Sequence, residues 1–198
     1  MMKPMPMLMT VTIVALMLVA IPAYSAEMVR DEATGLTVTP PHGYVVERET
    51  PSIVIHAGAR FSLRKPLDPP STGCTVEAQL LPPIDETSAA LGRALSARSR
   101  EGTTTWRDKA LLQIMSEVAV RSSRPYSRDG IEALEVEGWP RQGADAAGSR
   151  IDRSTRMRIV VLKLGNGYTN VTCRAAVADF PGKRDEFDAV VHGVKLSR

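Results

Sequence analysis

Few side chains in this 198-residue chain are of a type that does chemistry, and two cysteines, three histidines and two groups of arginines are the first to weigh. Cys74 and Cys173 could bridge, hold a metal or exchange with other thiols. Alternation along Cys74-Thr75-Val76-Glu77-Ala78-Gln79-Leu80 places Cys74 with Val76, Ala78 and Leu80 on one face of a strand. Within Tyr168–Val177, the residues Val171, Cys173, Ala175 and Val177 share a face in the same way. Both sulfurs therefore point into apolar surroundings. A bridge would close a loop of about 100 residues, contributing up to ~4–5 kcal/mol in the chain-entropy model. The competing reading is two buried free thiols acting as small hydrophobes. There is no Cys-x-x-Cys, and nothing evident lowers a thiol pKa, so redox exchange is disfavoured. Zinc requires about four ligands, and two cysteines with scattered histidines do not suggest a site. No metal and no cofactor is expected.

The histidines lie far apart: His42 in a turn, His56 in a strand and His192 near a helix end. Each reads as structural or solvated. No Gly-x-Ser-x-Gly elbow occurs, and Gly165-Asn166-Gly167 lacks the lysine and following helix of a phosphate loop. The acidic pairs Asp85-Glu86 and Asp185-Glu186 sit near helix starts, where the helix dipole accounts for them. No catalytic set emerges, so a non-enzymatic protein is expected.

Arg121, Arg124 and Arg128 lie in one loop region, and Arg141, Arg150, Arg153, Arg156 and Arg158 lie in another. If a sheet brings them together, they form an anion-binding surface for an envelope protein, a lipid headgroup or an anionic cell-wall polymer. Solvated loop charge, balanced by Asp129, Asp145 and Asp152, is the alternative. Nucleic acid is disfavoured, because the formal net charge is only +3 and aromatic residues make up 5% of the chain. A further expectation is a small-ligand cleft between the sheet and the helix of Trp106, with Trp106 and Trp139 as its aromatic residues. An unrecognised hydrolase ranks last, since no nucleophile can be named.

The first 26 residues bear on where these groups work. Lys3 precedes an apolar run from Met7 to Ala20, Pro22 breaks it, and Ala23-Tyr24-Ser25-Ala26 offers small residues for cleavage after Ser25 or Ala26. The run is shorter than the roughly 20 residues of a spanning helix, which favours a removable signal over an anchor. Residues 27–198 are then expected to form one α+β domain without a stable membrane span, periplasmic or secreted, in a compartment where cysteines oxidise.

The elements that must position these residues follow from periodicity and punctuation. Short strands are expected at Gly35–Thr39, Tyr44–Arg48, Ser52–Ala57 and Arg60–Arg64, before the Cys74 strand. Asp85 can cap a helix carrying Leu91 and Leu95. Thr105 with Asp108 resembles a capping box, opening a helix whose apolar stripe includes Trp106, Ala110, Leu111, Ile114 and Met115. A strand at Val118–Ser122 is followed by a turn or loop over Arg124–Gly130, a strand at Ile131–Trp139 and a mobile loop over Arg141–Ser154. Arg156–Leu164 and Tyr168–Val177 form a hairpin about Gly165-Asn166-Gly167. A last helix, Gly182–Val191, turns Phe187, Val190 and Val191 inward and ends at Gly193. Adjacent strands with short connections favour an antiparallel sheet.

That order, with Gly-Leu-Thr-Val-Thr-Pro-Pro-His-Gly-Tyr at residues 35–44 and the ending Val160–Val177, Phe180 and Phe187, resembles the PsbP-like α/β/α sandwich of exported proteins. The resemblance implies a binding, assembly or accessory role rather than catalysis. It assigns no functional residue.

Overall fold

A computed structural model describes residues 27–51, 57–80, 105–143, 150–164 and 167–196. The expected export segment, most of the Ser52–Ala57 strand, the helix after Asp85 and the Gly165-Asn166 turn lie outside the described residues.

The alternating segments form the strands β3 (Val45–Glu49), β4 (Ala57–Arg64) and β5 (Gly73–Leu80). With them stand β6 (Val118–Arg128), β7 (Ile131–Gln142), β8 (Arg150–Ile151), β9 (Thr155–Leu164) and β10 (Gly167–Ala176). They make one antiparallel sheet in the order β3-β4-β5-β10-β9-β7-β6, and β8 pairs with the end of β7. A one-residue slip would turn every apolar side chain to the wrong face, so the alternation fixes the register. Val171 stands opposite Val76, and Val76 opposite Phe61.

The expected loop at Arg124–Gly130 is corrected to strand. β6 runs unbroken to Arg128, and only Asp129 and Gly130 turn, with φ of 51° and 77°. Paired positive φ values fit the two-residue turn whose twist matches that of the flanking strands. Pro125 argues against a central strand, but β6 is the last strand of the described order, where a missing N–H breaks no ladder. The loop expected over Arg141–Ser154 likewise yields β8 at Arg150–Ile151.

Helices pack on both faces. On one face lies α1 (Trp106–Glu117), opened by the capping box: the Asp108 amide donates to the Thr105 hydroxyl oxygen, and the Thr105 amide donates to the Asp108 carboxylate. Its residues Trp106, Ala110, Leu111 and Ile114 meet Val118, Leu134, Val136, Ile159 and Val161. Met115 is exposed, contrary to expectation. At about 100° per residue, nine residues on from Trp106 it reaches the opposite side of the helix. The other face carries the larger core, covered by a 3-10 turn (Phe180–Lys183) and α2 (Arg184–Gly193). Phe61, Phe180 and Phe187 are fully buried there, each contributing roughly 1.5–3 kcal/mol.

β1 (Val29–Arg30), β2 (Leu36–Val38) and β11 (Val194–Leu196) form a small second sheet against this core, joining the two ends of the described chain. Strand β11 was not expected. Three residues after a helix are too short a run to show a period, and β2 supplies their pairing.

Candidate functional site: an arginine cleft beside the edge strand

Strands β7 and β9 carry a polar interruption on their α2-facing side. Along β7, Ala133 is core, while Glu135 and Glu137, two and four residues on, share its face and are also buried. Buried carboxylates need partners. The Glu135 carboxylate accepts from Arg158 Nε at 3.0 Å and from Arg124 Nε and Nη2 at 2.9 and 2.7 Å. Glu137 accepts from Arg156 at 2.7 Å and from Arg184, at the start of α2, at 2.5 Å. Asp188 pairs with the remaining side of Arg158 at 2.6 Å. Hydrogen bonding to Glu135, reinforced by its charge, holds the Arg124 guanidinium more firmly in its protonated form.

This network floors a cleft of about 500 Å³ whose walls are Arg121 to Arg124 of β6, Arg156 of β9, and Phe180, Pro181 and Arg184. The ladder shifts between Val120 and Ser122, so Arg121 is an extra residue on the edge strand. Two cations lie over the Phe180 ring, the guanidinium carbons of Arg156 and Arg184 being 5.1 and 5.8 Å from its centre. The Arg156 Nε is buried and has no hydrogen-bond partner among the described residues.

Of the eight arginines that could make a surface, Arg141 lies near the end of β7 and Arg158 is buried behind the cleft, while Arg121, Arg124 and Arg156 meet here. Arg128 does not. It is buried and donates to the carbonyls of Val191 and Val194 at the end of α2, where a cation satisfies orphan acceptors and the helix dipole. Arg153 lies over the Trp139 ring at 5.3 Å, and Arg150 belongs to β8; neither lines the cleft. Sequence reasoning missed Arg184, Glu135 and Glu137. Their signal was the broken alternation of Ile131–Trp139, whose inward acidic positions required cations from neighbouring elements.

Cys74 and Cys173 are bridged, with their Cα atoms 4.0 Å apart, because the register sets them directly opposite on β5 and β10. His192 Nδ1 lies 2.7 Å from the Asp188 carbonyl, and His42 occupies an exposed turn. Neither lines the cleft beside Ser122 and Ser123. Among the described residues, no group of His, Cys, Asp or Glu gathers to hold a metal ion, and no helix is long and apolar enough to cross a membrane. A second cleft of about 450 Å³ lies between α1 and the sheet, lined by Ile114 of the helix and by Val118, Met157, Ile159 and Val161 of the strands. Trp106 and Trp139, expected to line it, stand elsewhere: Trp106 packs against Tyr168 at 6.2 Å and Trp139 beneath Arg153.

No family model matches the chain, and no curated protein matches it in sequence. Among solved structures it is similar to the solution structure of cyanobacterial PsbP (CyanoP) from Synechocystis sp. PCC 6803. The TM-score is 0.51 at 10% identity, over 86% of this chain and 92% of that one. The fold is PsbP-like, as the order of elements and the hairpin-Phe-helix ending anticipated.

Proposed function

We propose that this protein is an exported, non-enzymatic binding protein of the cell envelope, which engages an anionic partner through the arginine cleft. The observation that carries the reading is the convergence of Arg121, Arg124, Arg156 and Arg184 on one recess. Solvated charges scattered over loops would not be brought together by three separate elements and oriented by two buried carboxylates. Guanidiniums held this way lose little further freedom on binding, which favours recognition of carboxylate or phosphate. Export, to the periplasm or beyond it, is supported by the Lys3-to-Ala26 pattern and by the buried Cys74–Cys173 bridge, which suits an oxidising compartment.

The test is affinity capture from the envelope fraction with Arg121→Glu and Arg184→Glu combined. Both side chains are at the mouth of the cleft, and Glu137 keeps Arg156 when Arg184 is replaced. The expected result is loss of the captured partner from a protein that still unfolds cooperatively, with a midpoint lowered by the carboxylate set beside Glu137. Capture at the level of the unaltered protein refutes the reading.

A further inference from the structure

We propose that the group taken by the arginine cleft is a phosphate monoester. The inference rests on the anion-binding reading above and gives it a chemical class.

The first argument is charge. Four guanidiniums, from Arg121, Arg124, Arg156 and Arg184, face two carboxylates, Glu135 and Glu137, and so two positive charges stay uncompensated. Behind them, Arg158 and Asp188 cancel each other. A phosphodiester or a single carboxylate brings one negative charge. A monoester brings about 1.5 to 2 near neutral pH and matches the surplus.

The second argument is direction. The donors come from an edge strand, from an inner strand and from the start of α2. A carboxylate offers two coplanar oxygens, which suit one guanidinium fork. A monoester offers three terminal oxygens arranged in space, which suit forks arriving from several sides.

The third argument is capacity. A guanidinium has five N–H groups, and the two carboxylates take only some of them. Arg124 keeps its Nη1 side when Nε and Nη2 bond Glu135. Arg121 makes no ion pair among the described residues, so its whole fork is left for a ligand, whereas the unpartnered Arg156 Nε is itself buried. The carboxylates thus aim the guanidiniums and leave donors for a ligand, while Ser122, registered opposite Glu137 and so on the same face, adds a hydroxyl at the rim.

The experiment is calorimetric titration of the disulfide-bonded protein with phenyl phosphate, dimethyl phosphate and succinate, the last a dianion of different geometry. Phenyl phosphate is expected to bind at least about tenfold more tightly than the other two, and Arg121→Gln with Arg184→Gln to weaken it by a similar factor. Vesicles of phosphatidic acid in phosphatidylcholine separate the sources. Sedimentation with them, blocked by phenyl phosphate, assigns the monoester to a lipid headgroup. Absence of sedimentation with phenyl phosphate still bound assigns it to a soluble compound. Succinate binding as tightly as phenyl phosphate overturns the phosphate assignment and leaves the anion reading standing. No binding of any anion, together with undiminished envelope capture by the charge-reversed protein, overturns both.

Discussion

Asp31 shows how a single buried side chain sets a response to acid. Its carboxylate is 2% exposed and accepts from the Thr34 amide at 2.9 Å, from the Thr34 hydroxyl at 2.8 Å and from Arg48. Burial alone would raise its pKa, but the Thr34 hydrogen bonds and Arg48 outweigh that and hold it below the ordinary carboxylate value. Because the folded pKa lies below the unfolded one, this group contributes stability above the unfolded value. The contribution is lost as the pH falls through the folded pKa. Asp31→Asn keeps the shape and removes the charge. It should cost about 1–3 kcal/mol at pH 7, the range for breaking a buried charged hydrogen-bond set. Urea unfolding at a series of pH values from 7 down to 3 should show the gap to the unaltered protein narrowing. A gap constant over that range refutes the assignment. The arginines show how far residue type can be read alone. Type and spacing identify cations for an anion, but Arg128 and Arg124 share a strand and differ entirely in use. Both face α2, but one reaches the carbonyls at the end of that helix and the other the buried Glu135. That difference depends on which strand stands beside β6 and which helix covers it, and neither is written locally.

Elements differ in legibility according to how much of their determination is local. The β9–β10 hairpin and the Thr105–Asp108 capping box repeat a period or a spacing over enough residues to be read directly. The edge strand β6 was misread because Pro125 carries a local penalty that an edge position removes. Gly193 was read correctly as the end of the last helix, but for a different cause. It shows no left-handed cap; instead its backbone lies against β2's neighbour Thr39, whose amide donates to the Gly193 carbonyl at 2.9 Å. A Cβ at Gly193 would meet the Thr39 carbonyl oxygen at 2.0 Å, a contact with backbone that no rotamer change can relieve. Gly193→Ala should therefore separate α2 from β2 and destabilise the fold by about 1–3 kcal/mol, as overpacking does. Denaturant titration should show a lower midpoint, and hydrogen exchange should quicken first in β2 and β11, which Gly193 joins to α2. Unchanged exchange in β2 and β11 would show that the two backbones separate without cost.

At the scale of the whole molecule, the scaffold and the cleft depend on different parts of the chain. The bridge joins β5 to β10 at the middle of the sheet, across a sequence separation of 99 residues, and lies in the large core. The cleft is built from β6, β7, β9, the 3-10 turn and α2, with no group from β5. Removing the bridge should therefore lower stability without dismantling the site. Eight consecutive register pairs hold β5 against β10, and alanine at both positions leaves only a small apolar gap. Cys74→Ala with Cys173→Ala should cost about 2–5 kcal/mol, most of it by freeing the unfolded chain. The denaturant slope should rise, because an unbridged chain exposes more surface on unfolding. Affinity for phenyl phosphate, measured well below the melting temperature, should stay within about twofold of the bridged protein. Loss of binding with the fold retained would mean that the sheet centre and the arginine cleft are coupled, and would end the separation of scaffold from site. An unchanged midpoint would remove the bridge from the account of stability.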